Sequence, residues 1–154
     1  VFNILSARVW DAEVLDLFGG TGAMALEALS RGAEHAVIVD SGREAIRAIE
    51  RNSQSVLKDA MPERVKILRA DYRAAIDAMR DVRFDLVFLD PPYRMADAYA
   101  DALTRLCARG LLGENCICLL ERAADAQISL PDGFERYDTR TYGGTSVEFV
   151  REAR

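Results

Sequence analysis

The chain has 154 residues, half of them hydrophobic, and a formal net charge of −5. That suits one domain with a substantial core, is too short for two, and excludes a surface that attracts polyanions as a whole, so nucleic acid has to be met by a local patch. Three cysteines (Cys107, Cys116 and Cys118) in apolar surroundings without CxxC spacing, with His35 the single histidine, exclude a disulfide frame, a zinc cluster and a histidine-based triad, and point to reduced thiols in a cytoplasmic protein.

The chain starts at Val1 rather than methionine, so a segment upstream is expected. No signal peptide or membrane-spanning apolar run is visible, and no membrane partner is expected. Residues 2–5 (Phe-Asn-Ile-Leu) read as the end of a helix, linked through Arg8 and Asp11 to a buried strand at 14–18, Val-Leu-Asp-Leu-Phe. Gly19-Gly20-Thr21-Gly22 follows, then an amphipathic helix over 23–30 stopped by Gly32. Glycines let backbone approach a ligand closely, and the helix start offers free N–H groups and a positive dipole end.

A second strand over 36–39 ends at Asp40, 20 residues after Gly20, where one carboxylate is placed to hold both hydroxyls of a ribose. Ser41-Gly42-Arg43-Glu44 matches a capping box, which leaves Asp40 free for a ligand. The next helix carries Ile46, Ile49, Ser53 and Val56 as its core stripe. A third strand over 65–68 runs into Ala70-Asp71-Tyr72. Asp71 suits an adenine amino group with Tyr72 near the ring, or the N-cap of a helix over 73–79; taken alone, the cap is favoured.

The fourth strand, 84–89, is nearly unbroken in its apolar character, as a central parallel strand covered on both faces would be, and it ends in Asp90-Pro91-Pro92-Tyr93. Proline offers a carbonyl and no N–H, so this turn reads as a rigid, acceptor-only cradle for an amino group, with Tyr93 as a ring on which a planar base can stack. A helix with the stripe Tyr99, Ala102, Leu103 and Leu106 closes at Gly110; a fifth strand spans 115–120; and strands over 134–142 and 145–151 flank Gly143-Gly144, a hairpin signal. The pattern is α/β, a mostly parallel sheet with helices on both faces and one antiparallel strand in its edge region. Ligands are expected between strands one and four, and Gly20, Asp40, Asp71 and Asp90 all fall on that carboxyl rim.

LDLFGGTG, the acid ending strand two, the Ala-Asp ending strand three and LDPPY together resemble the Rossmann-like class I S-adenosylmethionine-dependent methyltransferases. More specifically, FNIL, LDLFGGTGAMALEALSRGA, FDLVFLDPPY and RTYGGTSVEF are similar to the RsmD-like family of 16S rRNA guanine-N2 methyltransferases over essentially the whole chain. The resemblance implies a single domain over 1–154 with a seven-stranded sheet. It implies S-adenosylmethionine at Asp16, Phe18, Gly20, Gly22, Asp40, Ser41, Asp71 and Tyr72, and a base at Asp90, Pro91, Pro92 and Tyr93. It also implies a metal-free monomer acting on 16S rRNA or the assembled small ribosomal subunit. Asp90 and the Pro91 carbonyl are the candidates to accept the amine N–H bonds, and Arg94, Arg122 and Arg140 lie near the same rim as candidate phosphate contacts. Two departures stand out: Gly19 replaces the family's alanine, at an expected cost of little beyond flexibility, and the family's basic target-binding extension is not within the chain.

Three other readings compete. Gly20-Thr21-Gly22-Ala23-Met24-Ala25 fits the dinucleotide fingerprint of an NAD-dependent oxidoreductase, for which the Asp-Pro-Pro-Tyr turn has no evident use. An adenine-N6 DNA methyltransferase would use the same cradle, and a non-catalytic RNA-binding module would keep the fold without needing the intact turn.

Overall fold

The computed structural model describes residues 1–153. Its strands are β1 (Glu13–Asp16), β2 (His35–Asp40), β3 (Val65–Arg69), β4 (Phe84–Leu89), β5 (Leu112–Ala123), β6 (Phe134–Tyr142) and β7 (Thr145–Glu152), and they form one sheet in the order β3-β2-β1-β4-β5-β7-β6. β1 to β5 are parallel to one another, and β7 runs antiparallel to both β5 and β6. The reversed strand therefore lies one place in from the edge. A tight turn lets β7 pair with the strand before it, while joining β5 as well places Val147 and Phe149 in the core on one face of the sheet and Val150 in the core on the other.

Helices α1 (Phe2–Leu5), α2 (Ala23–Ser30), α3 (Arg43–Leu57), α4 (Met61–Arg64), α5 (Tyr72–Ala78) and α6 (Ala98–Ala108) cover both faces. On one face Tyr72, Ala75, Ile76, Leu103 and Leu106 pack on Leu15, Val87 and Leu120. On the other, Phe2, Leu5, Leu26, Leu29 and Ile49 pack on Val14, Ile38, Leu86 and Phe149. Alternate residues of each central strand thus enter opposite cores, the reason these strands read as unbroken apolar runs. No helix among the described residues is long and apolar enough to cross a membrane.

Several local expectations change. β1 starts at Glu13 and β5 at Leu112, because pairing with neighbouring strands extends both beyond their apolar stretches. Val56 is 51% exposed, and the α3 stripe passes from Ser53 to the half-buried Leu57 instead. Cys107 is exposed at the end of α6, near Glu152, whereas Cys116 and Cys118 are core. The capping box does not form: Gly42 is the N-cap of α3, without a side-chain cap. The N–H of Gly42 donates instead to Asp40 Oδ1, 2.9 Å away.

A candidate active site at the carboxyl rim of the sheet

The glycine loop is stitched to the rim by its backbone. The Leu17 N–H donates to Phe88 O at 3.3 Å, Gly19 N–H to Val39 O at 2.8 Å and Gly22 N–H to Gly19 O at 2.7 Å. Gly20 has φ +59° and open space where a Cβ would stand, so bare backbone faces the cleft there. Gly22, with φ +83°, caps α2 without a side chain, leaving first-turn N–H groups directed at the cleft. Gly19 is needed for another reason. A Cβ at that position would lie 2.4 Å from Ile38 Cγ2, so the alanine usual in the family does not fit this chain without displacement.

Asp40 ends β2 with both oxygens engaged: Oδ2 accepts from the Gly20 N–H at 3.0 Å and Oδ1 from Gly42. It is thus a brace for the loop as well as a candidate ligand group, and Ser41 beside it is exposed along the same cavity. Asp71 is the N-cap of α5, accepting from the Arg73 N–H at 2.9 Å, and the Arg73 side chain grips both its oxygens at 3.0 and 3.1 Å. Those hydrogen bonds hold the Asp71 carboxyl below its usual range. The Tyr72 ring is buried and backs Phe18, with ring centroids 5.4 Å apart, and its hydroxyl donates to Asp101 Oδ2 at 2.5 Å. Phe18, half-buried, is the aromatic face turned to the cleft.

The fourth strand ends in the Asp-Pro-Pro-Tyr turn, with Pro91 buried and Tyr93 97% exposed. Pro92's carbonyl accepts from the Met95 N–H at 2.8 Å, so among the turn's carbonyls Pro91's is the candidate for a ligand. Asp90 stands at the meeting of three cavities. One, of 520 Å³, runs along Phe18, Gly20, Asp40 and Asp71; a second, of 590 Å³, takes in Asp16, Gly20 and Glu121; a third, of 430 Å³, lies between the Pro-Pro-Tyr turn, Tyr99 and the β6–β7 hairpin. Desolvation, then hydrogen bonding and charge from Glu121, raise the Asp90 pKa to about 8. The shift favours the protonated form, in which the carboxyl adds one O–H donor to the acceptors of the turn. Asp16 is 3% exposed, and burial raises its pKa to about 7 despite the hydrogen bond from the Phe18 N–H at 3.3 Å.

Glu121, at the carboxyl end of β5, went unrecognised in the sequence. Its signal was an acid ending a buried strand, the same signal that marked Asp40 and Asp90. Of the three rim arginines, Arg122 is committed elsewhere: its Nε donates to the buried Glu148 at 2.5 Å and its guanidinium also caps the Ala123 and Ala124 carbonyls. Arg140 pairs with Asp138 at 3.0 Å, and Arg94 is exposed beside the turn.

The rim therefore joins two kinds of surface at Asp90. One has bare N–H groups, carboxylates and an aromatic ring, fit for a ligand with hydroxyls, an amine and a flat base; the other has a proline turn under an exposed tyrosine, fit for a second planar amine. A family model described as conserved hypothetical protein 95 matches residues 1–151. The ribosomal RNA small subunit methyltransferase D of Escherichia coli is 31% identical over 156 residues, spanning 100% of this chain and 76% of that protein. Its namesake in Haemophilus influenzae is 27% identical over 151 residues, 98% of this chain and 77% of that one. A solved structure of a conserved hypothetical protein of Streptococcus pyogenes superposes with a TM-score of 0.86 at 31% identity, covering 97% of this chain and 91% of that one.

Proposed function

The chain belongs to the family described as conserved hypothetical protein 95, the RsmD-like family, and from that membership we propose that it transfers a methyl group from S-adenosylmethionine to the exocyclic N2 amino group of a guanine in 16S rRNA. Its fold is that of class I methyltransferases. The observation that carries the reading is Asp90, which borders the glycine-loop cavity on one side and the proline-turn cavity on the other, so that a donor and an acceptor seated in the two would meet at its carboxyl.

S-adenosylmethionine supplies a methyl group on a sulfonium, an electrophile that is already activated. What this chain contributes is binding and alignment. The Gly20 backbone has the open approach that a bulky ligand requires, Asp40 has a carboxylate for a ribose diol, and Phe18 has a half-buried ring for an adenine. Ser41 borders the same groups, Gly22 opens the helix behind the loop, Asp16 lines the adjoining cavity as an acceptor for an amine, and Asp71 with Tyr72 lines the far end. The guanine amine is a feeble nucleophile, because its lone pair is delocalised into the ring. Acceptance of its N–H bonds by Asp90 and the Pro91 carbonyl returns electron density to the nitrogen, and in-line placement does the rest. A base reaches such a cleft only by leaving its stack, and stacking on Tyr93 repays about 1–3 kcal/mol of that. We further propose that residues 1–154 work as a single metal-free domain, monomeric and cytoplasmic, on 16S rRNA or the assembled small subunit.

The test is radiolabelled methyl transfer to undermethylated small-subunit RNA and to assembled subunits, with the modified base identified by mass spectrometry. The expected product is N2-methylguanine. Methyl-adenine, or no transfer to either substrate, would overturn the proposal. Asp90→Ala is expected to abolish transfer with S-adenosylmethionine affinity preserved; parallel loss of both would make the residue structural.

A further inference from the structure

β4 and β5 run parallel with Leu89 beside Leu120, so the next residue of each strand, Asp90 and Glu121, emerges at the rim side by side. After desolvation, the neighbouring Glu121 carboxyl is the main cause that raises the pKa of Asp90. Two ionised carboxylates have no donor between them, so a bond within this pair requires one shared proton. The strand end is fixed from below, where the Tyr99 hydroxyl on α6 donates to the main-chain oxygen of Glu121. Both carboxyls open onto the same two cavities. We infer that Glu121 is a positioning residue for methyl transfer: it accepts the hydroxyl proton of a neutral Asp90, turns Asp90's other oxygen toward the amine N–H, and takes that proton over when the amine releases its own. The inference rests on the amine-methylation reading above.

The step balances without any further reactant. The amine lone pair forms the new N–C bond and the C–S electron pair leaves with sulfur; the nitrogen then breaks one N–H bond. That proton forms an O–H bond at Asp90, and Asp90's original proton passes to Glu121. The pair begins with one proton and ends with two, and water at the open rim removes one. Asp90 is faced by Asp16 from β1, Glu121 from β5 and Tyr99 from α6, while Arg94 borders the same cavity beyond the turn and Arg122 is held by Glu148. With three carboxyls converging, burial and Glu121 keep the shared proton in place until the pH rises through about 8. Above that, two charged carboxyls repel and the arrangement is lost.

The decisive experiment combines carboxyl 13C titration of the cofactor-free chain with single-turnover methyl transfer across pH, in the wild type, Glu121→Gln and Glu121→Asp. Removing the partner charge is expected to lower the Asp90 titration midpoint by about one pH unit or more. In transfer, Glu121→Gln is expected to reduce the rate roughly 100-fold at neutral pH and to move the alkaline limb of the profile to lower pH, while Glu121→Asp recovers part of the rate. S-adenosylmethionine affinity stays at the wild-type value and the unfolding midpoint of each variant does not fall below it, which separates positioning from misfolding. Transfer by Glu121→Gln with wild-type rate and pH profile sinks the relay alone. A shared proton in a wild-type chain that methylates no RNA sinks the proposed activity and the relay with it.

Discussion

Asp40 holds the glycine loop in shape: its Oδ2 lies 3.0 Å from the Gly20 nitrogen, across the gap between β1 and β2. Its other oxygen does the same for the start of α3 through Gly42. Asp40→Ala therefore removes a ligand group and a brace together, and is expected to weaken S-adenosylmethionine binding by about 2–3 kcal/mol, roughly 30- to 150-fold. Asp40→Asn cannot serve both N–H groups, since one of its terminal atoms is itself a donor. Isothermal titration should rank the affinities wild type, Asn, Ala; equal affinity in all three would remove Asp40 from the site.

Asp16 makes the site costly to the fold. Its folded pKa of about 7 lies above the unfolded value of 3.8, so the native state holds this proton more tightly. Stability is then lost as pH rises from the unfolded value to the folded one, by up to about 4 kcal/mol if the whole shift is felt at this buried position. Asp16→Asn keeps an acceptor for the Phe18 N–H and escapes the charge. The variant is expected to unfold at higher denaturant than the wild type near pH 8, with the difference closing below about pH 4, and to bind S-adenosylmethionine less well. A constant difference across that range would contradict the linkage.

The Gly19 position is governed by its neighbour across the sheet. With an added Cβ at 2.4 Å from Ile38 Cγ2, Gly19→Ala should cost about 1–3 kcal/mol by overpacking. Ile38→Ala alone opens a cavity, at about 2–5 kcal/mol. The double variant is expected to be more stable than the sum of the two losses, because the methyl of one occupies space vacated by the other. Strict additivity in urea unfolding would show that the clash relaxes elsewhere.

What the chain discloses in its sequence and what it conceals divide along one line. The glycine loop, the Asp-Pro-Pro-Tyr turn and the Gly143-Gly144 hairpin were legible because their chemistry is local: φ, missing donors and turn geometry are properties of a few consecutive residues. Asp40, Asp71 and Asp90 were legible as acids ending strands. Their partners were not, since each lies far along the chain: Gly20 braces Asp40, Ile38 dictates Gly19, and Glu121 meets Asp90 only through the β4–β5 register. The capping box failed because Asp40, two residues before Gly42, reaches its N–H and no side-chain cap forms. The α3 stripe strayed at its end because the buried face, spaced by the helical repeat, runs from Ser53 to Leu57 and leaves Val56 outside.

Arg122 is the clearest case of a rim cation with a structural duty. Glu148 is 1% exposed and bound by Arg122 and by Arg136, so a charge of one sign is buried between two of the other. Glu148→Ala leaves both guanidinium groups uncompensated and is expected to cost about 3–5 kcal/mol. Arg122→Ala should likewise destabilise the fold while leaving the salt dependence of RNA binding at the wild-type slope, whereas Arg94→Ala should reduce that slope by about one. A reduced slope in Arg122→Ala would return it to the RNA-contacting set.

Tyr93 is the opposite case. With 97% of its surface exposed and no ring partner among the described residues, it contributes nothing evident to the core. An aromatic ring left open beside a proline turn is useful only to something that arrives. Tyr93→Ala is therefore expected to leave unfolding within about 0.5 kcal/mol of the wild type. It should lower kcat/KM for RNA by the stacking contribution of about 1–3 kcal/mol, roughly 5- to 150-fold. Tyr93→Phe keeps the π-face and should retain most of the activity, and S-adenosylmethionine affinity should be the same in all three proteins. If Phe behaves like Ala, the hydroxyl rather than the ring meets the substrate; if neither change affects kcat/KM, the base is held without Tyr93 and the turn binds it through Asp90 and Pro91 alone.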